Sequence, residues 1–140
     1  MNPKQLILGT LAYTLVTFPI AVIWHVVLFE ETYKKFGYFE GEPNFLLGLI
    51  TIVMQGAVLS LLFPFVKFQG NSIARGLKYA LLLGVFFWTS HVLAFIAKQV
   101  VADVMTFVFM ESFYLLIQFS VFGILIGYIH REKSGEDIQA

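Results

Sequence analysis

The chain has 140 residues, 59% of them hydrophobic and 13% charged, with nine basic and nine acidic residues giving a formal net charge of zero. A soluble globular domain carries about a quarter charged residues, so this composition excludes one and indicates a membrane protein. With no cysteine, the chain can form no disulfide framework, thiolate metal site, Fe–S cluster, covalent c-type haem link or quinone-coupled thiol relay.

The first apolar stretch runs from Gln5 to Phe29 behind the short head Met1–Lys4. Its length and the lack of a small-residue cleavage pattern after it predict a retained helix rather than a removable signal. Thr10, Thr14, Thr17, Ala21 and His25 fall on one stripe of that helix. The segment from Glu30 to Pro43 mixes charges with Tyr33, Phe36, Tyr38 and Phe39, a composition expected at the headgroup level of a membrane surface. Asn44 to Val66 forms the second stretch, with Gly48, Thr51 and Gln55 on one face. Phe68-Gln69-Gly70-Asn71-Ser72 has turn chemistry, and Asn71 or Ser72 can cap the next helix.

The third apolar stretch, Tyr79 to Ala97, extends back to Gly76 and carries Gly76, Ala80, Gly84 and His91 on one face. Small residues allow close helix approach in membranes, so this face and the threonine face of the first helix are expected to meet. The fourth, Val104 to Ile129, holds Glu111, the one Asp, Glu, Lys or Arg within Gln5–Phe29, Asn44–Val66, Tyr79–Ala97 or Val104–Ile129. At ~1.5 Å of rise per residue, each stretch can cross a hydrocarbon core of roughly 30 Å. The predicted fold is therefore all-α, a single polytopic domain over 1–140, with transmembrane helices at about 5–29, 44–66, 76–97 and 104–129.

Positions 25 and 91 both hold histidine, and the same offset of 66 residues aligns Tyr13 with Tyr79 and Leu15 with Leu81. An offset of 63 sets Gln55 against Gln118. The pattern suggests a duplicated helical hairpin whose halves are related by an axis along the membrane normal. With the N-terminus in the cytoplasm, Lys4, Lys67, Arg75, Lys78, Arg131 and Lys133 lie inside against Lys34, Lys35 and Lys98 outside. That bias predicts cytoplasmic termini and an inner-membrane, multi-pass protein.

Polar groups in a bilayer are costly unless partnered, so His25, His91, Glu111, Gln55 and Gln118 are expected to form an intramembrane cluster. The plainest expectation is that they hydrogen-bond one another and fix helix register. His25 and His91 could instead ligate haem b, or with Glu111 a divalent metal. A proton or ion pathway through Glu111 is a third possibility. Ser120, Gly123 and Gly127 lie roughly 120 to 180° from Glu111 on the fourth helix, and Gly123 and Gly127 form a GxxxG pattern. If Glu111 faces inward, that face is expected to point outward and to bind another helix.

The chain resembles a loose group of small bacterial four-helix integral membrane proteins known only as domains of unknown function. Trp24-His25, Leu28-Phe29, Tyr33 through Phe36-Gly37, Gly76-Leu77-Lys78-Tyr79 and the Glu111, Tyr114, Gly123, Gly127 series carry the resemblance, which implies fold and bacterial origin and no activity. Small multidrug transporters fit less well, because the first helix here lacks a carboxylate. No catalytic motif is present, so the leading expectation is a non-enzymatic protein without a cofactor, acting by association in the bilayer as a homo-oligomer or as an accessory subunit of a larger membrane complex. No nucleic-acid partner is expected.

Overall fold

A computed structural model of the chain describes residues 2–39 and 41–131; Met1 and Lys133, named above, lie outside them, as does Glu40. Four helices long and apolar enough to cross a membrane dominate it: α1 (Pro3–Leu28), α3 (Phe45–Phe65), α4 (Ser72–Ile96) and α5 (Val104–Ile129). A short helix, α2 (Glu30–Lys35), follows α1. Side-chain caps set four starts: the Asn2, Asn44, Asn71 and Asp103 side chains accept from the amides of Lys4, Leu47, Ala74 and Thr106, satisfying donors that a helix N-terminus leaves free. Capping by Asn71 starts α4 at Ser72, four residues before the predicted Gly76. Pro64 sits in the 3₁₀ turn that ends α3.

The chain folds as two helical hairpins, α1 with α3 and α4 with α5, joined along a seam between α1 and α5. Small residues allow these approaches. Gly56 of α3 lies against the Thr10 carbonyl and the Tyr13 side chain of α1, and Gly9 of α1 faces Ser60 of α3 and Ile126 of α5. No comparable seam joins α3 to α4 among the described residues. Those two helices meet near the termini end, where the Tyr79 hydroxyl donates to the Leu59 carbonyl at 2.6 Å and the Tyr79 ring packs on Phe63.

Three expectations are corrected here. The small-residue face of α4 does not meet the threonine face of α1: Gly76, Ala80 and Gly84 pack instead on Gly123, Gly127 and Phe119 of α5. Nor does the face of α5 bearing Ser120, Gly123 and Gly127 point outward. Gly123 and Gly127 are buried against α4 and Ser120 is half-buried. The reason is that α5 is the central helix, with 44% of an apolar 18-residue stretch buried against 17–22% for the other three, so its polar face and its glycine face are both covered by neighbours in the same chain.

The third correction concerns the segment after α1, which does not lie flat at the surface. Tyr33 and Phe36 insert into the end of the bundle, where both are buried and their rings pack on Phe107. Gly37 makes the turn back with φ +74°, a conformation glycine adopts without a Cβ clash.

A methyl group at Gly76 would collide with the Gly123 carbonyl and come within 2.7 Å of the Gly127 amide nitrogen, whereas one at Gly48 would meet nothing within 4 Å. Gly76→Ala is therefore expected to destabilise the bundle by about 1–3 kcal/mol, the scale of an overpacked contact. Gly123→Leu and Gly127→Leu should lose the folded monomer altogether, while Gly48→Ala is neutral or stabilising. Thermal unfolding in detergent, followed by helical circular dichroism, checks the order; a folded Gly127→Leu monomer that fails only to associate would restore the outward face.

Candidate functional site

The ends of α1 and α4 nearest α2 are wound differently from the rest of those helices. Ile23–Leu28 and Thr89–Leu93 are π-helical, with i to i+5 bonds from the Phe29 amide to the Trp24 carbonyl and from the Ala94 amide to the Thr89 carbonyl. Single π turns inside α-helices are rare and recur at functional sites. His25 lies in one and His91 in the other. The two histidines related by the 66-residue offset thus share an unusual local backbone as well as a depth.

Both face Glu111, which is fully buried on α5. His25 Nε2 is 2.9 Å from Glu111 Oε1, and His91 Nε2 is 2.7 Å from Oε2. The Tyr33 hydroxyl donates to Oε1 at 2.5 Å and itself accepts from Trp24 Nε1 at 2.8 Å. On the other side of the His25 ring, Nδ1 lies 3.0 Å from the Ala21 carbonyl. A carbonyl oxygen only accepts, so Nδ1 donates to it, and Nε2, turned to a carboxylate oxygen that also only accepts, holds that contact as a second N–H donor. Oε1 accepts from Tyr33 and lies against His25, whereas Oε2 has the 2.7 Å approach of His91 Nε2 but no partner in hydrogen-bond geometry among the described residues. Tyr38 stacks on His25 with ring centroids 5.4 Å apart and places its hydroxyl 3.2 Å from His91 Nε2.

Tyr33 and Tyr38 are the residues that sequence reasoning missed, having assigned them to the headgroup level. Burial, and then the Glu111 carboxylate, push both phenols far above their usual range, so both stay protonated. The signal available for them was chemical: a tyrosine-rich segment within a few residues of a buried histidine can satisfy a carboxylate that lipid cannot.

Gln55 and Gln118 are brought together one layer deeper, by a tyrosine rather than by direct contact. Gln118 Nε2 donates to the Tyr13 hydroxyl at 3.1 Å, which donates to Gln55 Oε1 at 3.2 Å. The two layers border one cavity of about 560 Å³, walled by α1, α3, α4 and α5 and covered by Tyr38 and Phe39. His25 and His91 line it, with Glu111 behind them. Its volume falls in the ~300–1,000 Å³ range of small-molecule sites.

Removing the Tyr33 hydroxyl leaves Trp24 Nε1 without its acceptor and Glu111 short of a donor. Tyr33→Phe is expected to lower stability by about 1–3 kcal/mol, the cost of orphaning buried polar groups. The shift in Trp24 fluorescence and in thermal midpoint measures it; wild-type values for both would show that the hydroxyl carries no part of the cluster.

Comparison with protein families, curated proteins and solved structures gives no match, so the chemistry of the site is read from its geometry.

Proposed function

We propose that the chain is a metal-binding membrane protein in which His25, His91 and Glu111 hold one divalent transition-metal ion beside a lipid-level cavity. The observation that carries this is the convergence of two imidazole nitrogens and a carboxylate oxygen, all within 4.8 Å of one another. Two nitrogens and one oxygen suit Zn²⁺ or Fe²⁺, and three protein ligands leave a coordination position free, the pattern of reactive rather than structural sites. The surroundings agree. The Nδ1 bond from His25 to the Ala21 carbonyl and the Tyr33 bond to Glu111 are the outer contacts that orient ligands in metal sites. The side open to the cavity is the histidine side.

A bis-histidine haem is supported less well, because the Glu111 carboxylate lies against both Nε2 atoms, where a porphyrin would have to pass. A proton path through Glu111 needs polar groups across the bilayer. Beyond Gln118, the buried residues of α5 are Phe119, Phe122, Gly123, Ile126 and Gly127, none of them with a polar side chain. An association role loses its main support with the burial of Gly123 and Gly127. In the membrane, we place the α2 end outside and the termini in the cytoplasm of a bacterial inner membrane, since five described basic residues, Lys4, Lys67, Arg75, Lys78 and Arg131, oppose Lys34, Lys35 and Lys98.

When bound, the ion supplies Lewis acidity toward a carbonyl, phosphoryl group or water at its free position. The protein's own contribution is a fixed tautomer at His25, a carboxylate held by Tyr33, and an apolar wall that limits water. Purified full-length protein is expected to bind about one Co²⁺ per chain, with visible absorption of a four- or five-coordinate ion. Glu111→Gln and His91→Gln should abolish that spectrum. Tyr33→Phe, which replaces no ligand and removes only the hydroxyl bonded to Glu111, should weaken binding by about 10–100-fold, as outer contacts to metal ligands do. Co²⁺ titration without any spectral change in the wild type would overturn the assignment.

A further inference from the structure

The deeper polar layer has no part in the metal site, yet it faces the same cavity. Tyr13, Gln55 and Gln118 lie ten, ten and fourteen residues into their helices, about 15 to 21 Å along them and so near the middle of a roughly 30 Å hydrocarbon core. Their chain of hydrogen bonds uses the Gln118 amide N–H, the Tyr13 hydroxyl and the Gln55 carbonyl. It leaves the Gln118 carbonyl and the Gln55 N–H₂ without a protein partner among the described residues. Gln118 is only 3% exposed. Neither atom is fully enclosed, and both residues line the cavity; an amide oxygen with an unused acceptor beside an amide with unused donors is costly there in a medium without water, and the pair offers both halves of a hydrogen-bonded exchange to whatever enters.

The route in is lateral. Among the described residues the hairpins join along α1 and α5 and, near the termini end, through Tyr79, so the α3 and α4 sides of the cavity have no comparable seam near the α2 end. Gly48 and Thr51 of α3 and Phe87 of α4 line the cavity there, and Leu47 is exposed on the membrane-facing surface. No charged group belongs to the deep layer. Glu111 is seven residues, about 10 Å, from Gln118 along α5.

We propose that Gln118, Tyr13 and Gln55 bind the uncharged polar head of an amphiphile drawn from the bilayer, a long-chain molecule with a hydroxyl or amide head, whose hydrocarbon tail leaves between α3 and α4. The head satisfies the amides left over by the tyrosine bridge, and the tail stays in contact with lipid. The proposal shares its cavity with the metal reading and stands without the metal.

The test uses full-length protein in phosphatidylcholine nanodiscs with chelator present, and a hexadecanol carrying a diazirine next to the hydroxyl-bearing carbon. Light-driven labelling should be saturable and map to peptides holding Tyr13, Gln55 and Gln118. Gln118→Leu should weaken it about tenfold, the effect of one lost buried hydrogen bond. Gly48→Phe should abolish it by filling the cavity, and because a Cβ at position 48 meets nothing within 4 Å, this variant keeps the fold and decides the matter if Gln118→Leu does not fold. Labelling that persists in Glu111→Gln upholds the amphiphile site even where Co²⁺ binding fails. Equal labelling of the same residues by the matching diazirine alkane, or labelling unchanged by Gly48→Phe, would overturn it.

Discussion

The arrangement depends on how one carboxylate is kept at membrane depth. An ionised or even a neutral carboxyl in hydrocarbon costs several kcal/mol unless its oxygens are occupied, and Glu111 is fully buried with partners arriving from three other elements: His25 from α1, Tyr33 from α2 and His91 from α4. Each of those elements must therefore reach α5 at one level. The π turns answer to that demand: a wider turn resets the side-chain phase at the end of α1 and of α4 without disturbing the tight glycine contacts further along each helix. Rare backbone at two positions, both occupied by histidines aimed at the same group, is better explained by the group than by either helix alone.

Much of the fold was legible because the bilayer simplifies the reading. Backbone hydrogen bonding restricts lipid-spanning segments to helices or closed barrels, so four long apolar stretches implied four helices, and the observed spans differ from those expected by at most four residues, at Ser72. The meeting of His25, His91 and Glu111 was legible for the same reason, since only polar residues at like depth could partner one another. Apolar residues carried no such information. Lipid tails are as apolar as leucine, so hydrophobicity does not distinguish a helix face against protein from one against lipid.

The misread parts follow from that limit. Gly123 and Gly127 correctly marked a close helix contact, but a small-residue pattern does not say whose helix approaches. The partner is α4 of the same chain, and the inference of an outward face failed because it assumed that a helix has one buried side. Helix α5 has two. Tyr33 and Phe36 were misread for a different reason. Their neighbours Glu30, Glu31, Lys34 and Lys35 are charged, and on the short helix α2 those charges stay at the surface, with Lys34 paired to Glu30, while Tyr33 turns inward. A short amphipathic turn can close a bundle as readily as it can rest on a membrane.

Central placement of α5 also explains why the cavity opens sideways rather than along the membrane normal. With α1 on one side of α5 and α4 on the other, α3 can pack on α1 without reaching α4, and the gap closes only where Tyr79 spans to Leu59 near the termini end. The fourth seam of a regular bundle is thus replaced by a slot, floored by the Tyr13 bridge and roofed by Tyr38 and Phe39. The same polar residues that hold the hairpins together also line the space between them. Structural and functional demands on this cluster are therefore separable only by variants that change the contents of the slot while leaving Glu111 and its partners in place.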